Sequence, residues 1–233
     1  MVNEELMEEI RKDPVITKAT IKKILGCKDS YAYVVLNRLK DRRILKKIMK
    51  GKYTTHDNIY SIATNIWTPS YLTLWTASSW KGYTEQVINQ IQVATTKYKN
   101  SIKFENYEIK PIKFSKELFF GFKKIKSGGS DIFVVEDEKH LIDSLSFRDK
   151  MGNPSEILKI FENCDVEKDK IINHLKRIDN KSLIKRCGFL LEKVKGMDIS
   201  DVFKLEDRNY PGLFGEGGEN TDSKWRLKYD IKI

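Results

Sequence analysis

Residues 15–55 read VITKATIKKILGCKDSYAYVVLNRLKDRRILKKIMKGKYTT, two short amphipathic helical patterns, a small turn and a basic hairpin in succession. Thr17 stands where the first helix needs an N-cap, and Ile16 and Ile21 around it are spaced for a hydrophobic staple. Ile21, Ile24 and Leu25 make the face to be buried, and Gly26 ends the helix. After Cys27-Lys28, Asp29 or Ser30 can cap a second helix with Ala32, Val35, Leu36 and Leu39 on one side. Its other side offers Ser30, Tyr33, Asn37 and Arg38, flanked by Tyr31 and Arg42, groups able to hydrogen-bond base edges or phosphates in a major groove. Ile44 to Met49 and Lys52 to Thr55 flank Lys50-Gly51, a hairpin whose Lys46, Lys47, Lys50 and Lys52 would lie against phosphates. The pattern predicts a winged helix-turn-helix that binds duplex DNA through these ten polar residues. The alternative is a solvated three-helix unit that packs on protein.

Charge favours DNA. Residues 11–56 carry fourteen Lys or Arg against Asp13, Asp29 and Asp41, a local balance of +11. Residues 57–233 carry a balance of only +3, so basicity belongs to one small module. Clustered positive charge on a fold offering a groove-sized helix is the footprint of a duplex binder, because counterion release drives association.

The 233 residues suffice for one or two domains, and 40% apolar content supports a real core. The first ten residues are acidic and helical in pattern, unlike the cationic start of a secretory signal. No apolar run reaches membrane-spanning length, so no membrane partner and a cytoplasmic location are expected. Cys27, Cys164 and Cys187 are far apart with no Cys-x-x-Cys, which argues against disulfide and structural zinc and for buried thiols.

A first helix is expected over Val2 to Lys12, with Leu6 and Ile10 inward and Glu4, Glu5, Glu8 and Glu9 outward, stopping before Pro14. Near Thr54 to Asn58 lysines thin out and aromatics begin, which sets the expected boundary between residues 1–56 and a C-terminal domain, 57–233. Thr68-Pro69 reads as N-cap and N1 proline of a buried helix running to Lys81. Gln90 to Thr95, Tyr107 to Phe114, Leu118 to Ile125 and Ile132 to Val135 are β-rich runs that predict a small mixed sheet. Helical periodicity returns at Asp137, and Asn153-Pro154-Ser155-Glu156 announces the first of three further helices. Gly188 falls inside the last of these, where it costs up to about 1 kcal/mol relative to alanine and suggests a close helix crossing. A glycine-rich loop, Tyr210 to Asp222, precedes a terminal strand in which Trp225, Leu227, Tyr229 and Ile231 alternate with Arg226, Lys228, Asp230 and Lys232. The expected class is α/β (α+β), a winged helix-turn-helix followed by a larger domain with a small mixed sheet and several helices.

Several pieces in order resemble AbiEi-type antitoxins and transcriptional regulators of type IV toxin-antitoxin systems. They are the basic module ending in Gly51-Lys52-Tyr53, the aromatic segment Tyr71 to Trp80 leading into Gly82-Tyr83-Thr84-Glu85-Gln86, and Ile91-Gln92-Val93-Ala94. Phe133 to Asp143 and Ser182 to Glu192 continue the likeness. The resemblance implies a DNA-binding N-terminal domain that represses its own operon at inverted repeats, which suits a homodimer on DNA. It also implies a C-terminal domain that neutralises a nucleotidyltransferase-like toxin without forming a stable complex with it. A stand-alone winged-helix regulator without a toxin is the alternative within this class.

An opposing class is a metal-dependent nuclease, because Asp131, Glu136, Asp137, Glu138 and Lys139 bunch at a strand end and Asp143 follows. The simpler account is a helix start favoured by acidic groups and a Lys139–Asp143 i,i+4 pair. His56, His140 and His174 share no ligand spacing and are assigned surface or helix-end roles; Gly215 with Gly217-Gly218 lacks the Lys-Ser/Thr of a P-loop. No catalytic residue, metal or cofactor is therefore expected. A third class is a pure protein-interaction module in which the aromatics of the larger domain, more often core than anchors, would bind a partner.

Overall fold

A computed structural model describes residues 4–206, 208–215 and 217–231, so the expected helix start at Val2 and Lys232 of the terminal strand lie outside the described residues. The chain is mixed α/β and forms two compact units. The first contains the residues up to Leu72 together with Asn89–Lys113 and Lys123–Val134, and the second contains Thr73–Ile88, Phe114–Phe122 and everything from Val135.

The first unit begins with α1 (Glu4–Ile10), α2 (Lys18–Leu25) and α3 (Asp29–Asp41), then a hairpin of β1 (Lys46–Met49) and β2 (Lys52–Thr54). Thr17 caps α2 in a reciprocal box with Thr20: the Thr20 amide donates to Thr17 Oγ1 and the Thr17 amide to Thr20 Oγ1, each at 3.2 Å. Gly26 takes the left-handed conformation that ends α2. Ile16 and Ile21 are fully buried, as a staple requires, and join Leu6, Ile10, Ala32, Val35, Leu36, Leu39 and Leu45 in one core. Ile16 also pairs antiparallel with Tyr53, adding a third extended segment to the hairpin. Two local expectations change. Leu25 stays 37% exposed. The N-cap of α3 is Lys28, with no side-chain bond, and Asp29 and Ser30 lie inside the helix. The Asp29 carboxylate is 2.7 Å from both Lys18 and Lys22 of α2, so it ties two helices together instead of capping one.

The unit continues with α4 (Ile59–Ile66), capped by Asn58, which accepts from the amides of Tyr60 and Ser61. A six-stranded sheet follows, made of β3 (Ser70–Leu72), β4 (Gln90–Thr95), β5 (Ile102–Phe104), β6 (Tyr107–Lys113), β7 (Phe122–Ser127) and β8 (Ser130–Val135) in the order β5-β6-β4-β3-β8-β7. β4 runs parallel to β6 and antiparallel to β3, which is parallel to β8. The helix expected over Pro69 to Lys81 is corrected at its start: Ser70, Tyr71 and Leu72 are all buried and form a central strand, and helix begins only at Leu74. Ladder bonds on both edges outweigh the N1 proline cue. The sequence reading lacks α4 and β5, and β7 starts at Phe122, after a turn at residues 116–118 and an irregular stretch at 119–121, and not at Leu118.

The second unit contains α5 (Leu74–Trp80), α6 (Asp137–Ser146), the short α7 (Arg148–Met151), α8 (Pro154–Asn163), α9 (Lys168–Ile178), α10 (Lys181–Lys195) and the small ribbon β9 (Asn220–Asp222) with β10 (Leu227–Tyr229). Asn153 caps α8 with Pro154 at its first turn, as the sequence requires. α6 packs against α5, α8, α9 and α10 and is buried on every side from Glu138 to Leu145. The glycine-rich stretch before the C-terminal segment includes β9, and the terminal strand is three residues long, with Trp225 in the preceding turn. Gly188 does meet a close neighbour, but not a helix: a Cβ there would lie 2.1 Å from the Trp225 ring carbons Cη2 and Cζ3. The indole is held by a 2.5 Å bond from its Nε1 to Glu192, one turn beyond Gly188 on the same helix.

Candidate nucleic-acid interface

α3 is thirteen residues long, about 20 Å, enough to lie along a major groove. With Ala32, Val35, Leu36 and Leu39 buried, Ser30, Tyr31, Tyr33 and Arg38 face solvent and Asn37 is half-buried. Tyr31 and Tyr33 are 52% and 58% exposed, more than is usual for so large an aromatic side chain. Arg42 at the helix end and Lys47 and Lys50 on the hairpin are also exposed. Among the described residues, Arg38, Arg42, Arg43, Lys47 and Lys50 make no ion pair, and neither do Lys23 and Lys28 at the α2–α3 corner.

Two of the expected phosphate contacts are differently placed. Lys46 is exposed but bridges Asp57 at 2.6 Å and Glu105 at 2.9 Å, and these carboxylates raise its pKa to about 12. Lys52 is half-buried, donates to the Ile66 carbonyl, and has its pKa lowered by burial and then by Lys99. It lines a cavity of about 260 Å³ with Thr96, Lys97 and Lys99. Lys97 and Lys99 thus stand beside the hairpin although some forty-five residues separate them from it in sequence, and no local pattern could have assigned them there.

The turn from α3 into the hairpin carries a second departure from local rules. The Arg43 amide donates to Lys40 O at 2.8 Å and the Ile44 amide to Leu39 O at 3.0 Å, a Schellman ending with Arg43 in its left-handed position at φ +57°. A glycine there avoids a cost of about 1–2 kcal/mol, so the arginine is held against local preference. Arg43→Gly should raise the denaturation midpoint by an amount equivalent to about 1 kcal/mol while weakening DNA binding. Chemical denaturation run beside a DNA titration checks both signs, and loss of stability would show that the side chain packs structurally.

The acidic residues weighed as a nuclease centre are each paired with lysines, Glu136 and Glu138 sharing Lys170. Asp131 in the first unit meets Lys124 and Lys126. In the second unit Asp137 meets Lys81 and accepts from Tyr83 at 2.9 Å, and Glu138 pairs with Lys170 at 3.0 Å. Lys139 and Asp143 are fully buried and paired, with Lys139 5.3 Å and 5.0 Å from the Phe114 and Phe120 ring centres. Thr73 donates to Asp143 at 3.3 Å. His140 is not at the surface but wholly buried, 2.9 Å from Ser78 Oγ, and burial pushes its pKa down to about 3. His56 and His174 are half-buried, His56 against Ser130. Among the described residues no group of three or more His, Cys, Asp or Glu side chains is placed to hold a metal ion. Cys164 and Cys187 are buried thiols, whereas Cys27 is half-exposed. No described helix is long and apolar enough to cross a membrane.

No protein family matches the chain, and no curated protein matches it in sequence.

Proposed function

We propose that the protein is a DNA-binding transcriptional regulator whose first three helices and hairpin act as a winged helix-turn-helix. The supporting observation is the exposed polar and aromatic face of α3 beside five unpaired cations, Arg38, Arg42, Arg43, Lys47 and Lys50. α3 enters the major groove and reads base edges through Asn37 and Arg38, with Ser30, Tyr31 and Tyr33 alongside. Lys47 and Lys50 on the wing and Arg42 clamp phosphates. Lys46 contributes little, being neutralised by two carboxylates, and Lys52 acts through the recess it shares with Lys97 and Lys99. The resemblance to AbiEi-type antitoxins extends the proposal: the protein represses its own operon, binds inverted repeats as a homodimer, and neutralises a nucleotidyltransferase-like toxin without stable association.

Substitutions separate the roles. Asn37→Ala or Arg38→Ala should reduce discrimination between operator and random duplex by about 1–3 kcal/mol, the worth of one bidentate base contact. Lys50→Ala should weaken both targets alike. Gel-shift titrations of each variant on both DNAs provide the measurement, and equal weakening by every variant would mean that α3 does not read bases.

A further inference from the structure

The second unit holds a cavity of about 370 Å³ lined by two arginines, Arg148 at the start of α7 and Arg186 on α10. Arg148 Nε donates to Phe214 O at 3.1 Å and Arg186 Nε to Gly212 O at 2.8 Å, so two carbonyls of one glycine-rich segment fix both guanidinium groups. A guanidinium has five N–H donors. One on each arginine is spent on these carbonyls, and no carboxylate among the described residues pairs with either. Both side chains are half-buried, which costs more for a charge than for a neutral group. The Arg186 pKa falls to about 10, first through burial and then through the like charge of Arg148. Among the described residues the one acidic group lining the cavity, Glu117, is turned to its own backbone and to the Ser115 hydroxyl. Ser115 and Ser146 add hydroxyls, and Leu145 and Leu183 supply apolar walls.

Two like charges held together with no counterion among the described residues are a destabilising arrangement unless something negative joins them. We propose that this cavity is a binding site for a small doubly charged oxyanion, the phosphoryl group of a compact metabolite, clamped between Arg148 and Arg186. Its volume suits a ligand of metabolite size. Arginine forks match phosphoryl oxygens in pairs, which makes phosphate a better fit than a single carboxylate. Neither DNA binding nor toxin neutralisation enters this assignment.

The test is calorimetric titration of the full chain with inorganic pyrophosphate at matched ionic strength, with malonate as the carboxylate counterpart. Pyrophosphate should bind with a sub-millimolar Kd and malonate more weakly. Arg148→Gln and Arg186→Gln should each weaken pyrophosphate at least about tenfold, as loss of a charge-assisted pair implies. Because these changes also remove the bonds to Gly212 and Phe214, Ser115→Glu serves as a second variant: it leaves both arginines anchored and places a carboxylate at the mouth. Ser115→Glu should abolish pyrophosphate binding and raise Tm. A Lys47→Ala, Lys50→Ala double variant should bind pyrophosphate as the parent does. The proposal falls if the parent binds neither anion, if malonate binds as tightly as pyrophosphate, if Ser115→Glu leaves binding intact, or if only the lysine variant loses it.

Discussion

Affinity of the full chain for operator duplex should fall by about 10²–10³-fold between roughly 50 and 200 mM monovalent salt. The expectation rests on the unpaired cations around α3 and the hairpin. If four to six of them neutralise phosphates, each releases close to one counterion, and the log–log slope is about −4 to −5. Lys46 is left out of that number because its charge is already met by Asp57 and Glu105. Fluorescence anisotropy across a salt series measures the slope directly, and a flat dependence would remove the electrostatic basis of the proposal. Lys47→Ala with Lys50→Ala should reduce the slope by about two, one for each phosphate that is no longer neutralised.

Gly188→Leu should cost at least about 3 kcal/mol, the upper range for overpacking, and so remove a large part of a normal folding stability. Even the first carbon of the new side chain would occupy the space of the Trp225 ring, and that ring is fully buried and tied to Glu192. The damage should be confined to the second unit. Protection from a co-expressed toxin is expected to fail while operator binding persists. Trp225→Ala placed on top of Gly188→Leu should restore part of the lost stability, because the leucine can then use the vacated volume. Denaturant melts of the two single variants and the double variant provide the cycle. A double variant no more stable than Gly188→Leu would show that the clash lies elsewhere.

What was legible in the sequence was what short-range chemistry dictates. Thr17, Gly26, Lys50-Gly51 and Asn153-Pro154 mark ends and turns that the chain adopts, since caps and tight turns depend on a few adjacent residues. Pro69 misled because the same residue that can open a helix can also precede a strand, and the choice was made by β4 and β8, far away in sequence. Gly188 correctly indicated a close approach, but its partner, Trp225, lies 37 residues on, beyond any periodic pattern. The candidate interface divides in the same way. Periodicity found the exposed face of α3, whereas the diversion of Lys46 to Glu105 and the grouping of Lys52 with Lys99 depend on sheet topology. Arg148 and Arg186 were not legible as a site because nothing local distinguishes an arginine that faces a cavity from one that faces water.

The interleaving of the two units has a bearing on how the chain is made. β3 lies between β4 and β8 in its sheet, yet β8 follows it by almost sixty residues, with Thr73–Ile88 and Phe114–Phe122 of the second unit passing in between. As synthesis proceeds from the N-terminus, the three helices and hairpin can consolidate early around their own core. The sheet cannot be completed until Val135 has left the ribosome, and by then two pieces of the second unit are already waiting, without the helices they pack with. A nascent chain therefore spends the middle third of its synthesis with a folded basic head and an open-edged β layer behind it, the stage at which chaperone capture and strand-edge aggregation would compete most strongly with folding.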